Sequence, residues 1–118
     1  MRPEVLYLTD IVQAADAIAR FLHGVEREAF LGDELRQSAV QQKLIIIGEA
    51  AGRLTADFQG RHADVQWRKA ISLRNIAVHE YFSVSWDIIW ATATIDIPVL
   101  RDQVVRILRQ IESEPGVP

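Results

Sequence analysis

Three residues in one short stretch, Arg74, Asn75 and His79, have the types and spacing to act together on a phosphodiester. Histidine titrates near neutrality and moves a proton in either direction. Arginine stays charged and stabilises extra negative charge on a phosphoryl group. Asparagine can hydrogen-bond and orient either neighbour. The set suits RNA cleavage without a metal, because the ribose 2′-hydroxyl supplies the nucleophile. One histidine per subunit, doubled by a two-fold axis, would provide one base and one acid. Taken alone, an Arg-Asn pair with a nearby histidine also fits a salt-bridge and capping cluster at a helix end.

The stretch reads as the end of a helix that starts at Asp64, a plausible N-cap, and runs toward Tyr81. At about 100° per residue, Trp67, Ile71 and Val78 define an apolar face. Arg74 falls on that face and Tyr81 beside it. Arg68, Ser72, Asn75 and His79 form a separate polar stripe. An arginine on an apolar face needs a carboxylate, a phosphate or a partner chain. Arg74 and His79 lie about 140° apart on a straight helix. Serving one substrate atom then requires a bend between them, or a two-fold axis that brings two copies together.

Three further helical segments must position this one. Leu8, Ile11, Ala15, Ile18 and Leu22 recur at helical steps between Pro3 and Gly24. After a break at Gly32-Asp33, Val40, Leu44, Ile47, Ala51, Leu54 and Phe58 continue the rhythm as far as Gly60. A last stripe runs from Trp86 to Ile111, capped by Ser83 or Ser85, with Pro98 inside it to kink or split it. No strand pattern is present, so the fold class is all-α, an antiparallel four-helix-type bundle. Gly48 and Gly52 share a helix face and let another helix approach closely. Glu49 sits between apolar neighbours, so partial burial with a salt-bridge partner is expected. Trp67, Trp86 and Trp90 read as core, and His23 and His62 as surface or cap residues. Residues 112–118 read as a frayed tail.

The 118 residues make one domain, 1–118 with a core of about 4–111. Apolar residues at 49% and charged residues at 25% exclude a disordered or low-complexity chain. No run approaches the roughly 20 apolar residues of a membrane span, and no signal peptide is visible. The absence of cysteine excludes disulfides, thiol catalysis and Cys-ligated zinc, and fits a cytoplasmic location. Three histidines leave few metal options. A net charge of −3 argues against a general DNA coater. Charge is uneven, however. Between Arg53 and Arg74 five basic and two acidic residues give +3, leaving −6 on the rest. Arg61, Arg68 and Lys69 in this strip are candidate phosphate contacts.

These residues resemble those of a known family. The Arg-polar-x₃-His signature, with a tyrosine two residues later, resembles the HepT toxins of the HEPN superfamily, small helical prokaryotic ribonucleases. Arg74, Asn75, His79 and Tyr81 fit it. So do Phe30-Leu31-Gly32-Asp33, Ile47-Gly48-Glu49-Ala50, Trp67, Leu73, Glu80, Phe82, Trp90 and Pro98-Val99-Leu100, in the expected order. The likeness covers roughly residues 4–111.

The resemblance implies an HEPN-like bundle, a homodimer whose motif helices meet across a composite cleft, and an endoribonuclease that needs no metal or other cofactor. Arg74 and His79 would be catalytic and Asn75 would support them. RNA, whether transfer or messenger, would be the substrate. The partner would be an MntA-type nucleotidyltransferase antitoxin, which silences such toxins by moving AMP from ATP onto the motif tyrosine, here Tyr81. Two other readings use the same residues. One is a non-catalytic binding partner or substrate of a nucleotidyltransferase. The other is a nucleotide-binding helical domain resting on the arginine and the basic strip.

Overall fold

Helix α1 (Pro3–Leu22) starts on a proline, whose missing N–H is one the first turn does not need. It ends before Gly24, which turns the chain at φ 71°. Its stripe Leu8, Ile11, Ala15 and Ile18 is buried as the spacing requires. A short helix not foreseen from the sequence, α2 (Arg27–Leu31), then carries Phe30 into the core. Five residues cannot establish an apolar periodicity, so the pattern left no trace. Phe30 meets Trp86 and Trp90 at 6.3 and 5.4 Å between ring centroids. Buried Gln37 donates its side-chain amide to the Phe30 and Leu31 carbonyls at 3.1 and 3.0 Å, which satisfies the end of α2.

Helix α3 (Glu34–Gly52) is the central element and packs on α1, α2 and a later short helix. Asp33 caps it by accepting the Arg36 N–H at 3.1 Å. The continuous helix expected as far as Gly60 is corrected here. α3 stops at Gly52, and Thr55, with ψ 156°, accepts the Phe58 N–H at 3.0 Å to start α4 (Ala56–Arg61). Threonine competes for backbone donors and favours caps over helix interiors. Leu54 and Phe58 are buried on both sides of this break, so the apolar rhythm continued where the helix did not. Glu49 is exposed rather than partly buried, and forms no ion pair among the described residues.

The computed structural model describes residues 2–76 and 85–114. Across them the chain is helical with no strand, an all-α bundle of the HEPN-like class. Helix α5 (Trp67–Ser72) starts two residues later than an N-cap at Asp64 requires. Gln66 precedes it without a side-chain cap, and Asp64 is not its N-cap. Residues 73–76 then tighten into a 3₁₀ turn instead of continuing a straight α-helix. Ser85, one of the two foreseen caps, accepts the Ile88 N–H at 3.4 Å and opens α6 (Trp86–Ala91); Ser83 lies outside the described residues.

Pro98 does divide the last stripe. Between α6 and α7 (Ile97–Glu112) lies one π-helical stretch, Thr92–Asp96. Proline cannot donate to the carbonyl four residues back, and its ring crowds that carbonyl. The chain widens instead: the Ile97 N–H reaches the Thr92 carbonyl five residues back, and the Thr94 hydroxyl donates to the Trp90 carbonyl at 2.7 Å. α7 packs on α1 through Ile97, Leu100, Val104, Ile107 and Ile111, and Arg101 meets Asp16 of α1 at 3.0 Å. The helix continues through Glu112, and Glu114 pairs with Arg2 at 2.7 Å, so fraying does not begin at residue 112. No described helix is long and apolar enough to cross a membrane.

Candidate active site

Arg74 and Asn75 sit in the 3₁₀ turn that follows α5, and both are exposed. The turn is held at three points. Trp67 at the head of α5 is buried, and its indole N–H donates to the His62 carbonyl at 3.0 Å. The Trp67 ring also meets Phe58 edge-on, with centroids 6.4 Å apart. Lys69 pairs with Asp96 of the π-helical stretch at 3.1 Å. Finally, α5 lies against α3, where Gly48 and Gly52 form the floor.

That floor fits Arg74 specifically. A Cβ placed on Gly48 would overlap the Arg74 backbone nitrogen and stand 2.9 Å from both the Arg74 Cα and the Leu73 carbonyl carbon. A Cβ on Gly52 would stand 2.6 Å from Arg74 Nη1, inside van der Waals contact, and 3.7 Å from Cζ. The two glycines therefore admit one residue, first its backbone and then its guanidinium. Their four-residue spacing predicts the close approach of a helix; it carries no local signal for an arginine in particular.

Arg74 lies, as expected, on the face that carries Ile71: both approach Gly52 of α3, and Arg74 is exposed there. The 3₁₀ turn advances about 120° per residue instead of 100°, which leaves residue 74 within about 20° of the Trp67 direction. Its side chain lies along α3, and it forms no ion pair among the described residues. His79 and Tyr81 lie outside the described residues.

The basic strip is partly neutralised within the chain. Arg61 pairs with Asp57 at 3.2 Å and lies over the Phe58 ring at 5.5 Å, and Lys69 is held by Asp96. Arg68 is exposed and has no such partner among the described residues. Behind the turn, between α5 and the π–α7 region, lies a cavity of about 150 Å³ lined by Ala70, Leu73, Ile97 and Leu100 among others. The tryptophans pack in or against the core, as expected. His23 and His62 occupy the C-caps of α1 and α4, also as expected.

The arrangement presents a charged fork on a rigid helical floor, suited to two oxygens of a phosphate. Comparison with known proteins agrees with that chemistry. Residues 11–107 match the family described as Ribonuclease HepT-like. A protein of Caldanaerobacter subterraneus subsp. tengcongensis, named as a candidate RNase, is 36% identical over 88% of this chain and 93% of its own length. A Thermococcus cleftensis protein named "Probable ribonuclease HepT" is 36% identical over 86% of this chain and 92% of its own. A Methanocaldococcus jannaschii protein, also named as a candidate RNase, is 30% identical over 83% and 90%. No solved structure matches significantly. The chain belongs to the HepT-like ribonuclease family.

Proposed function

We propose that this protein is the toxin of a toxin–antitoxin pair and a metal-independent endoribonuclease acting as a homodimer. The observation that carries the reading is Arg74: an exposed guanidinium laid on α3, with no ion-pair partner among the described residues. Arg74 binds the scissile phosphate and stabilises the charge that grows on it in the transition state. His79 takes the proton from the ribose 2′-hydroxyl as its oxygen bonds to phosphorus. The bond from phosphorus to the 5′-oxygen breaks, and that oxygen takes a proton from the second copy of His79. The products are a 2′,3′-cyclic phosphate and a 5′-hydroxyl. Asn75 orients these groups, and Arg68, with Lys69 and Arg61 more weakly, guides RNA toward them.

A second copy has apolar surface to cover. Ile88, Ile95 and Val99 are 66%, 63% and 57% exposed along α6, the π-helical stretch and α7. An MntA-type nucleotidyltransferase would silence the toxin by transferring AMP to the Tyr81 hydroxyl, adding bulk and negative charge near the cationic site. The test is cleavage of bulk transfer RNA with EDTA present. Wild type leaves cyclic phosphate ends, whereas Arg74→Ala and His79→Ala each lose cleavage by on the order of 10²-fold or more at unchanged helicity. Full activity in either variant rejects the assignment.

A further inference from the structure

We propose that Gly52 is a positioning residue for Arg74: the side chain it lacks leaves the track along which the guanidinium lies, so the end of α3 aims Arg74 at the RNA phosphate. This rests on the ribonuclease reading above.

Nothing in the backbone asks for glycine at this position. Gly52 lies within α3, the cap residue Arg53 is right-handed, and the one positive glycine φ among the described residues belongs to Gly24. Alanine is the better helix former by a wide margin. What alanine would meet is Arg74, with Nη1 at 2.6 Å and Cζ at 3.7 Å from the added methyl. The third neighbour, Ile71 Cγ2 at 3.8 Å, is at ordinary contact distance. The conflict is thus with the far end of a flexible, exposed side chain, which can swing away. Gly48 differs, because its conflict is with the Arg74 backbone itself. The two glycines act on different parts of the same residue. Gly48 sets where residue 74 sits, and Gly52 sets where its guanidinium points.

A guanidinium already laid along a helix loses less freedom when it binds, and it meets the phosphate in one orientation. Moving it by about 1 Å is enough to cost on the order of 10²-fold in rate. The consequence should therefore appear in turnover more than in folding.

The experiment compares wild type, Gly52→Ala, Arg74→Lys and the double variant in the full chain. Three quantities are read: the thermal midpoint, the Nε–Hε NMR resonance of Arg74, and kcat on bulk transfer RNA. We expect Gly52→Ala to move the Arg74 resonance and lower kcat by roughly 10- to 100-fold. In the Arg74→Lys background, which has no Nη1 to collide with, the same change should alter residual cleavage by less than about two-fold, since non-interacting changes add. An unmoved resonance, or an equal fall in the lysine background, overturns the proposal. Should Gly52→Ala lower the midpoint, recovery in the double variant supports a clash with the guanidinium, and no recovery overturns it. If Arg74→Ala cleaves as wild type does, the ribonuclease role of Arg74 falls. A moved resonance would still place Gly52 in control of the side chain.

Discussion

The α1–α3 pair and the α5 segment show two ways of holding a helix. α1 and α3 are 20 and 19 residues long. Each buries a row of aliphatic side chains against the other, with Leu8, Ile11, Val40, Leu44 and Ile47 fully inaccessible. α5 has six residues, no side-chain cap, and a 3₁₀ turn directly after it. A helix that short does not stand by its own hydrogen bonds. It is fixed from outside, by Trp67, the Lys69–Asp96 pair and the glycine floor of α3, and a cavity remains behind it. Binding residues are often carried on segments of low local stability that lean on a rigid body. Here the body carries the cost of order, and the segment carries Arg74.

The contrast breaks most severely inside the body. Ile47→Ala removes a fully buried side chain from the middle of α3, and should cost about 2–5 kcal/mol of global stability by urea unfolding. A loss under about 1 kcal/mol would mean that α3 is not the packed centre of the fold. Gly48→Ala comes next and crosses the boundary between the two regions. Its added methyl meets the Arg74 backbone, which cannot swing aside as a side chain does. Either α5 lifts or α3 shifts, at about 1–3 kcal/mol, the range of an overpacked site. An unchanged or raised midpoint for Gly48→Ala would show that α5 is not seated on this glycine.

The same contrast separates what was legible in the sequence from what was not. Long stripes were readable, because many buried residues repeat one period: α1 between Pro3 and Gly24 is where the spacing puts it. Pro98 and Ser85 acted as their local chemistry demands. The break at Thr55 was hidden because burial resumes on its far side, so Leu54 and Phe58 imitated one helix. α5 reads too long for a related reason. Its apolar residues keep a helical period while the chain tightens into a 3₁₀ turn at residue 73. The glycine pair was readable as a close approach, but not which residue approaches. That depends on how α5 docks, a tertiary fact with no local signature. His79 and Tyr81 are expectations from the sequence pattern alone and lie outside the described residues.

A milder change sharpens the comparison from the α5 side. Trp67→Phe keeps the ring against Phe58 but loses the indole N–H donated to the His62 carbonyl. The net loss should be about 1 kcal/mol, the usual worth of one hydrogen bond. It should register locally, as faster amide exchange in α5 with the α1 and α3 amides nearly unchanged. Uniform acceleration over all helices would merge the two regions into one cooperative unit and remove the distinction.

The smallest effect concerns caps, and it depends on pH. Asp33 holds its carboxyl below the usual carboxylate range, first through the Arg36 side chain and then through the Arg36 backbone N–H at the start of α3. A depressed carboxylate adds stability that is present above its unfolded value and lost as pH falls through its folded value. Asp33→Asn retains a good cap acceptor and removes the titration. The urea midpoint of wild type should therefore exceed that of Asp33→Asn near neutrality. The gap should close as acid carries Asp33 through and below the ordinary carboxylate range. A gap that stays constant on acidification would mean that the Asp33 charge does not support α3. Amide exchange in α5 should not follow this change, because Gln66 offers that helix no titratable cap. If α5 opened in step with Asp33 protonation, the segment that carries Arg74 would be coupled to the far end of α3 as well as to its glycines.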